Sequence, residues 1–96
     1  MQVKYSDLKN KRVFITGGGS GIGASIVEHF CEQGSEVYFV DINLKETQKL
    51  LNKIKKNKFR APIFIECNLL DINKLEKIIK NIIAKKGPIH ALINNA

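Results

Sequence analysis

Five of the seven glycines of the chain lie within residues 16–23, whose sequence is Thr-Gly-Gly-Gly-Ser-Gly-Ile-Gly. A short apolar run precedes this segment and a helical pattern follows it, which is the setting of a phosphate-binding turn. Gly17 can adopt a backbone geometry that a side chain forbids, Gly21 lets the chain approach a pyrophosphate, and Gly23 lets the helix pack close to the strand. The amides of the turn and the positive end of the helix dipole would face that pyrophosphate. No lysine follows the last glycine, which disfavours a nucleoside triphosphatase.

Tight turns also use glycine for steric reasons alone, and Asp41 argues against that simpler interpretation. It closes the second predicted strand 18 residues after Gly23, about where an acid is needed to accept hydrogen bonds from adenosine ribose hydroxyls. The same carboxylate would repel a 2'-phosphate. Neither the glycine turn nor Ile42, the neighbouring candidate contact, carries a positive charge that could neutralise one. The residues therefore predict NAD as the cofactor in preference to NADP.

Four short apolar runs alternate with longer helical patterns, which is typical of parallel βαβ units. The predicted strands are residues 12–16, 36–40, 61–66 and 89–93. A helix is expected from Gly21 to Gln33, with Gly34 as a left-handed cap. The inward positions of this helix are predicted to be Ile22, Ile26, Val27 and Phe30.

The second and third helices follow the second and third strands. The second is expected to turn Leu44, Leu51 and Ile54 inward and its lysines outward. The third begins at the N-cap Asp71 and ends at Gly87-Pro88. Its predicted apolar face consists of Ile72, Leu75, Ile78, Ile79, Ile82 and Ile83.

These elements predict an α/β fold of the Rossmann type, a doubly wound parallel sheet with the sequence order βαβαβαβ. Right-handed crossovers place the strands in the spatial order 3-2-1-4. The ligand crevice should then open at the carboxyl ends of strands one and four, where the polar and glycine-rich segments lie. Residues 1–96 are expected to form one domain.

The net charge of +7 raises the question of nucleic acid or an anionic membrane as a partner. Seven of the sixteen basic residues lie between Lys45 and Arg60, and Phe59 is the one aromatic residue among them, which favours a solvated helix face over a base-stacking surface. No segment approaches the length of a membrane span or a signal peptide. Cys31 and Cys67 lack metal-ligand or redox spacing and are expected to be reduced core residues. We therefore expect a cytoplasmic protein without nucleic-acid or membrane partners.

Of the two histidines, His29 is predicted to be partly buried and His90 exposed.

The glycine turn resembles the Thr-Gly-x-x-x-Gly-x-Gly motif of the short-chain dehydrogenase/reductase family. Residues 94–96, Asn-Asn-Ala, are similar to the start of that family's Asn-Asn-Ala-Gly motif after strand four. The resemblance implies that the pyrophosphate is lined by Gly17, Ser20, Gly21, Ile22 and Gly23, and that Asp41 holds the adenosine ribose. It implies that Asn68 and Leu69 flank the adenine, where the family more often has Asp before an aliphatic residue. It also implies that Asn94 and Asn95 stabilise the sheet beside the cofactor, with the backbone near Ala96 close to the nicotinamide ribose.

In this family the catalytic Ser and Tyr-x-x-x-Lys lie beyond strand four. Neither tyrosine of this chain can replace the catalytic one, because Tyr5 precedes strand one and Tyr38 has no lysine four positions later. The chain is therefore expected to be the cofactor-binding half of an oxidoreductase acting on an alcohol or carbonyl, with the catalytic half absent and no activity alone. Self-association through the exposed edge of strand four is expected. The alternative is a non-catalytic dinucleotide-binding or dimerising module.

Overall fold

The computed structural model describes residues 6–95. After a short 3-10 turn at Ser6–Leu8, strands and helices alternate along the chain. Their bounds are β1 Arg12–Thr16, α1 Gly21–Glu32, β2 Glu36–Asp41, α2 Leu44–Lys56, β3 Ile63–Glu66, α3 Ile72–Lys86 and β4 Ala91–Asn94. The predicted alternation of strand and helix is confirmed.

The strands form one parallel sheet in the order β3-β2-β1-β4, as predicted from right-handed crossovers. The register places Thr16, the last residue of β1, opposite Val40 of β2 and Asn94 of β4. Asp41 lies one residue farther along β2 than Val40 and pairs with Glu66 of β3. The carboxyl ends of β1, β2 and β4 therefore meet at one edge of the sheet.

Two apolar layers cover the sheet. On one face, Val13, Ile15 and Phe39 pack against residues of α1 and α2, among them Val27 and Ile54. On the other face, a smaller cluster joins the strands to α3, and it comprises Phe14, Tyr38, Val40, Cys67 and Ile82. Burying a side chain such as Phe14 or Phe39 contributes about 1.5–3 kcal/mol to folding. The larger layer lies beneath α1 and α2, the two helices that follow the strand ends bearing the glycine turn and Asp41.

Local signals start and stop the helices, and those at Asp71 and Gly34 were predicted. Asn43 and Asp71 are the N-caps of α2 and α3, and their side chains accept hydrogen bonds from the backbone N–H groups of Glu46 and Lys74. Gly34 follows α1 with a φ of 81°, in the left-handed region that glycine tolerates. Each cap ties a helix end to the loop that follows or precedes a strand.

Two predicted strands begin later than expected. β3 starts at Ile63 and not at Ala61, because its pairing with β2 begins at Tyr38 opposite Ile63 and Pro62 lacks a backbone N–H. β4 starts at Ala91 and not at Ile89. There the Nδ1 atom of His90 accepts the N–H of Arg12 at 2.7 Å, so a side chain replaces the strand carbonyl that would otherwise extend the ladder.

Several apolar residues predicted to face inward are exposed. Ile22, Leu44 and Ile72 lie in the first turns of their helices, which project past the carboxyl edge of the sheet, and Ile22 is 75% exposed. Ile83 is also exposed, because α3 leaves the neighbouring face of β4 uncovered. The helical spacing identified the side of each helix that faces the sheet, but the ends of the helices have no strand beneath them, so the apolar residues there are exposed.

The remaining residue-level expectations had mixed outcomes. The prediction that His29 is partly buried was wrong: the residue is exposed, with its ring edge against Phe30 at a centroid distance of 5.6 Å. His90 is exposed as predicted. Cys31 and Cys67 are buried free thiols, also as predicted. No helix within residues 6–95 is long and apolar enough to cross a membrane.

Candidate functional site

The glycine turn that follows β1 is fastened to β2. The backbone N–H groups of Gly17 and Gly18 both donate to the carbonyl oxygen of Val40, at 2.9 and 3.3 Å. Gly17 has a φ of 67°, which a residue with a side chain rarely adopts. The backbone geometry predicted for Gly17 is therefore present, but the N–H group of this residue is held by β2. Gly17 contributes the shape of the turn and not a free donor.

The amino end of α1 has no side-chain cap. Ser20 is the N-cap residue with extended backbone, its side chain accepts no cap hydrogen bond, and the first turn carries no acid. Gly21 has a φ of 57°, and a Cβ there would meet no atom within 4 Å. The first-turn amides of a helix lack intrahelical partners and favour an anion. This end of α1 is therefore open, polar and suited to a pyrophosphate.

Two glycines permit close packing around the turn. A Cβ at Gly23 would clash with the carbonyl oxygen of Gly17 and lie 2.6 Å from Nδ2 of Asn95. The close approach predicted for Gly23 is thus made to the turn itself, just beyond the strand. A Cβ at Gly18 would lie 2.8 Å from both Phe39 and Val27. Gly18 is the residue that brings the turn against β2 and α1.

Asp41 points back to the glycine turn from the end of β2. Its Oδ2 accepts the N–H of Gly19 at 2.8 Å, and its Oδ1 accepts the N–H groups of Ile42 and Asn43 at 2.7 and 2.9 Å. Hydrogen bonds to an ionised acceptor are stronger than neutral ones. A carboxylate has about four lone-pair sites, so capacity remains for a ligand hydroxyl. Ile42, the other candidate beside Asp41, has an exposed side chain.

The end of β4 is tied to the same turn. The Thr16 hydroxyl donates to Oδ1 of Asn94 at 2.8 Å and accepts the N–H of Asn95 at 3.0 Å. Nδ2 of Asn95 donates to the carbonyl oxygen of Gly17 at 3.1 Å. The two asparagines therefore join β4 to β1 and to the turn. Ala96 lies outside the described residues.

Asn68 and Leu69, the predicted adenine contacts, differ in their surroundings. Oδ1 of Asn68 accepts the N–H of Leu70 at 2.9 Å, and the residue is exposed in its loop. Leu69 and Asn94 line one cavity of about 380 Å³ on the α3 side of the sheet, together with Thr16, Leu70, Leu75, Ile79 and Leu92. Within residues 6–95, hydrogen bonds connect Asp41 and the two asparagines to the glycine turn, and none links Asn68 to it.

Sequence reasoning missed the roles of Gly19, Thr47 and the Thr16 hydroxyl. Thr47 of α2 is 2% exposed, and a Cβ at Gly19 would clash with its Oγ1. The spacing of Thr47, Leu50 and Ile54 places all three on the inner face of α2, and that spacing could have identified Thr47. Among residues 6–95, no group of three or more His, Cys, Asp or Glu side chains could hold a metal ion.

Comparison with known proteins gives a consistent result. The family model described as short chain dehydrogenase matches residues 11–96. A probable galactose dehydrogenase of Rhizobium meliloti is 39% identical over 93 residues, which cover 97% of this chain and 36% of that protein. A D-xylose 1-dehydrogenase of Caulobacter vibrioides is 39% identical over 92 residues, covering 96% of this chain and 35% of that protein. The chain thus spans about a third of the length of these relatives.

Solved structures share the same fold. The ligand-free aldohexose dehydrogenase of Thermoplasma acidophilum has a TM-score of 0.75 and 30% identity, covering 96% of this chain and 31% of that one. A metagenomic short-chain oxidoreductase in complex with NADP has a TM-score of 0.83 and 22% identity, covering 95% of this chain and 41% of that one. At that lower identity the likeness shows the fold alone.

Proposed function

The chain belongs to the short-chain dehydrogenases, and from that premise we propose that it holds the adenosine half of NAD in an enzyme that oxidises an alcohol or reduces a carbonyl. Members of this family are oxidoreductases with a fold that binds nicotinamide dinucleotides. The observation that carries the proposal is the pairing of an uncapped, acid-free end of α1 with a carboxylate 2.8 Å from the Gly19 amide. An anionic pyrophosphate and a ribose bearing two hydroxyls match these two groups.

Each site residue has a role in this proposal. The pyrophosphate would bind at the amides of Gly21, Ile22 and Gly23, with Gly17 shaping the turn and Ser20 at its rim. Asp41 would accept the ribose hydroxyls, and the exposed Ile42 side chain would cover that ribose. Asn68 and Leu69 would flank the adenine. Asn94 would keep β4 in register beside the cofactor through its hydrogen bond to Thr16.

NAD is proposed over NADP because of charge. A 2'-phosphate would approach the Asp41 carboxylate, both of whose oxygens are held in place by backbone N–H groups. Two like charges about 4 Å apart repel by about 4 kcal/mol at an effective dielectric constant of about 20. Two lysines of α2 line the pocket beside Gly19, and both are paired with acids, Lys49 with Glu46 and Lys53 with Glu28. The same pairs support a solvated face, and not a nucleic-acid surface, for this helix.

Calorimetric titration of the chain with NAD, NADP and ADP-ribose tests the proposal. We expect ADP-ribose and NAD to bind with similar affinity and NADP to bind more than tenfold more weakly. Asp41→Ala should weaken NAD by about 1–3 kcal/mol, because it removes charged hydrogen bonds, and should reduce the discrimination against NADP. Leu44→Ala, an exposed change on α2, is the control and should leave all three affinities unchanged. Tighter binding of NADP than of NAD would contradict the proposed cofactor.

We further propose that residues 1–96 alone do not transfer hydride. Tyr38 lies within β2, where its hydroxyl donates to Glu36 at 3.2 Å. Burial and the neighbouring Glu36 charge raise the pKa of Tyr38 above its usual value of 10, so its hydroxyl stays protonated near neutral pH and is not available as a general base. Tyr5 lies outside the described residues. A spectrophotometric assay of the chain with NAD and a panel of alcohols should show no NADH formation.

The second candidate function, a dimerising module, rests on the uncovered face of β4. Leu92 is 62% exposed, and β4 forms an edge of the sheet. A free strand edge beside exposed apolar residues favours pairing with another chain. We propose that isolated chains self-associate through this surface.

We also propose that the protein is located in the cytoplasm. The two buried free thiols support this compartment, and cell fractionation would test the proposed location.

A further inference from the structure

We propose that Asp41 is a positioning residue for the glycine turn, in addition to the ribose ligand proposed above. In the ligand-free chain its carboxylate fastens Gly19 to the end of β2 and so determines which amides of the turn face the cofactor groove. This role concerns the chain without cofactor, so it can be tested separately from the proposed function.

The contacts of Asp41 place it between three segments. Oδ2 accepts the N–H of Gly19 in the turn at 2.8 Å. Oδ1 accepts the N–H groups of Ile42 and Asn43 at 2.7 and 2.9 Å, immediately before α2. Both carboxylate oxygens therefore have fixed partners, and the side chain cannot rotate without breaking at least one charged hydrogen bond. We call the hydrogen bond between Gly19 and Asp41 the turn latch.

The turn latch separates the N–H groups of the turn into those bound within the protein and those left for a ligand. The N–H groups of Gly17 and Gly18 are bound to Val40, and that of Gly19 is bound to Asp41. Three consecutive glycines have unusual backbone freedom, yet each of their donors is held by the end of β2. The donors available to an anion consequently lie beyond Gly19, toward the first turn of α1. Without the latch, Gly19 would be free to reorient, and the groove would lose a defined wall.

The turn latch requires a carboxylate and not merely a side chain of similar shape. The three groups that contact Asp41 are all N–H donors, so both side-chain oxygens must accept. Asparagine at this position would direct its NH₂ group at one of these donors in either orientation. Asp41→Asn therefore preserves the volume of the side chain but places its NH₂ group against a backbone N–H group. The substitution thus removes a hydrogen bond without changing the packing at position 41.

Packing explains why position 19 is occupied by glycine. A Cβ on Gly19 would clash with Oγ1 of Thr47 and would lie 2.9 Å from Oδ2 of Asp41. Gly19 does not have a positive φ, so space and not backbone conformation is the constraint. An alanine there would force residue 19 away from Asp41 while leaving the carboxylate and its charge intact. Gly19→Ala thus breaks the same latch from the opposite side.

Amide hydrogen exchange measured by NMR on the ligand-free chain tests the proposal. In the wild-type chain the Gly19 amide should be protected relative to an unstructured glycine. In Asp41→Asn its exchange should accelerate by roughly tenfold or more, as loss of a hydrogen bond to a charged group implies. Asn43→Ala is the matched control, because it removes the side-chain cap of α2 but keeps the backbone N–H that contacts Asp41. It should leave Gly19 exchange unchanged.

Protection of the Ile15 amide in β1 reports whether each variant is folded. If Asp41→Asn is not folded, the Gly19→Ala variant provides the test of the turn latch. In that variant the amide of residue 19 should lose its protection from exchange, while the amides of Ile42 and Asn43 should keep theirs. If neither variant is folded, protection of Gly19 in the wild-type chain supports the latch. An unprotected Gly19 in the wild-type chain, or wild-type exchange in a folded Asp41→Asn chain, would overturn it. None of these readouts depends on whether NAD binds.

Discussion

Thr47 places a buried hydroxyl directly behind the glycine turn. The side chain is 2% exposed, and its Oγ1 has no hydrogen-bond partner. A buried hydroxyl without a partner costs about 1–3 kcal/mol of stability. This unpartnered hydroxyl lies beside Gly19 and Asp41, where small displacements would change the wall of the groove.

We predict that Thr47→Val stabilises the chain. Valine keeps the branched shape and replaces the unpartnered hydroxyl by a methyl group, so the free energy of unfolding should rise by about 1 kcal/mol. Thr47→Ser keeps the hydroxyl and removes the methyl group, and it should lower the free energy of unfolding. Urea denaturation measures both changes. A large loss of stability in Thr47→Val would mean that the hydroxyl has a partner.

For individual residues, the sequence predicted those roles that depend only on the residue's own backbone conformation or charge. The left-handed conformation of Gly17 and the position of Asp41 could be predicted because each follows from a residue type at the end of a strand. The roles of Gly18 and Gly19 depend on what packs against them, namely Phe39 and Thr47. Those contacts arise between elements distant in the chain, so no local pattern indicates them.

At the scale of elements, a polar network joins β1, β2 and β4 on the side of the sheet away from the glycine turn. Arg12 of β1 donates through Nε to Glu36 of β2 and through Nη1 to the carbonyl oxygen of Pro88 before β4. Arg60 also lies near Glu36, with a nitrogen to oxygen distance of 3.8 Å. Burial favours the protonated form of Glu36, but Arg12, Tyr38 and Arg60 outweigh it and lower the pKa of this carboxyl. The network anchors the edge strand that carries Asn94.

The lowered pKa of Glu36 makes stability depend on pH. Its contribution is present above the usual value of 4.5 and is lost as the pH falls through the lower pKa of the folded state. Glu36→Gln should therefore destabilise the chain by about 1–2 kcal/mol near neutral pH. Thermal unfolding of both chains between neutral pH and acid should show this difference shrinking as the pH falls. A difference that is independent of pH would refute the role of the charge.

The order of elements was predictable, and their ends were less so. Helical periodicity identified α3, but it could not show that Ile72 extends past the sheet and that Ile83 borders an uncovered strand. The start of β4 was predicted two residues too early because the His90 ring replaces a backbone acceptor. Such substitutions of side chain for backbone depend on tertiary structure.

At the scale of the whole molecule, one face of the sheet is less covered than the other. Two adjoining cavities of about 380 Å³ each lie between α3 and β4, and both are lined by Ile79 and Leu92. The chain spans about a third of the length of its curated relatives. The sequence predicted an exposed β4 edge, and the structure adds the apolar cavities beside it.

We predict that self-association depends on this surface. Leu92→Gln should shift sedimentation profiles toward monomer, because it removes an apolar side chain that is mostly exposed on the uncovered face. Leu44→Gln replaces an exposed leucine on α2, away from that face, and should leave the profile unchanged. A wild-type chain that is monomeric at every concentration tested would eliminate the proposed dimer.

The central claim is that the adenosine half of NAD binds where β1 and β2 end. NMR titration of the isotope-labelled chain with ADP-ribose tests it most directly, because each amide reports its own surroundings. We expect saturable chemical-shift changes concentrated at residues 17–23 and at Asp41 and Ile42, with smaller changes at Asn68 and Leu69. Absence of saturable changes, or changes concentrated between α3 and β4, would contradict the claim.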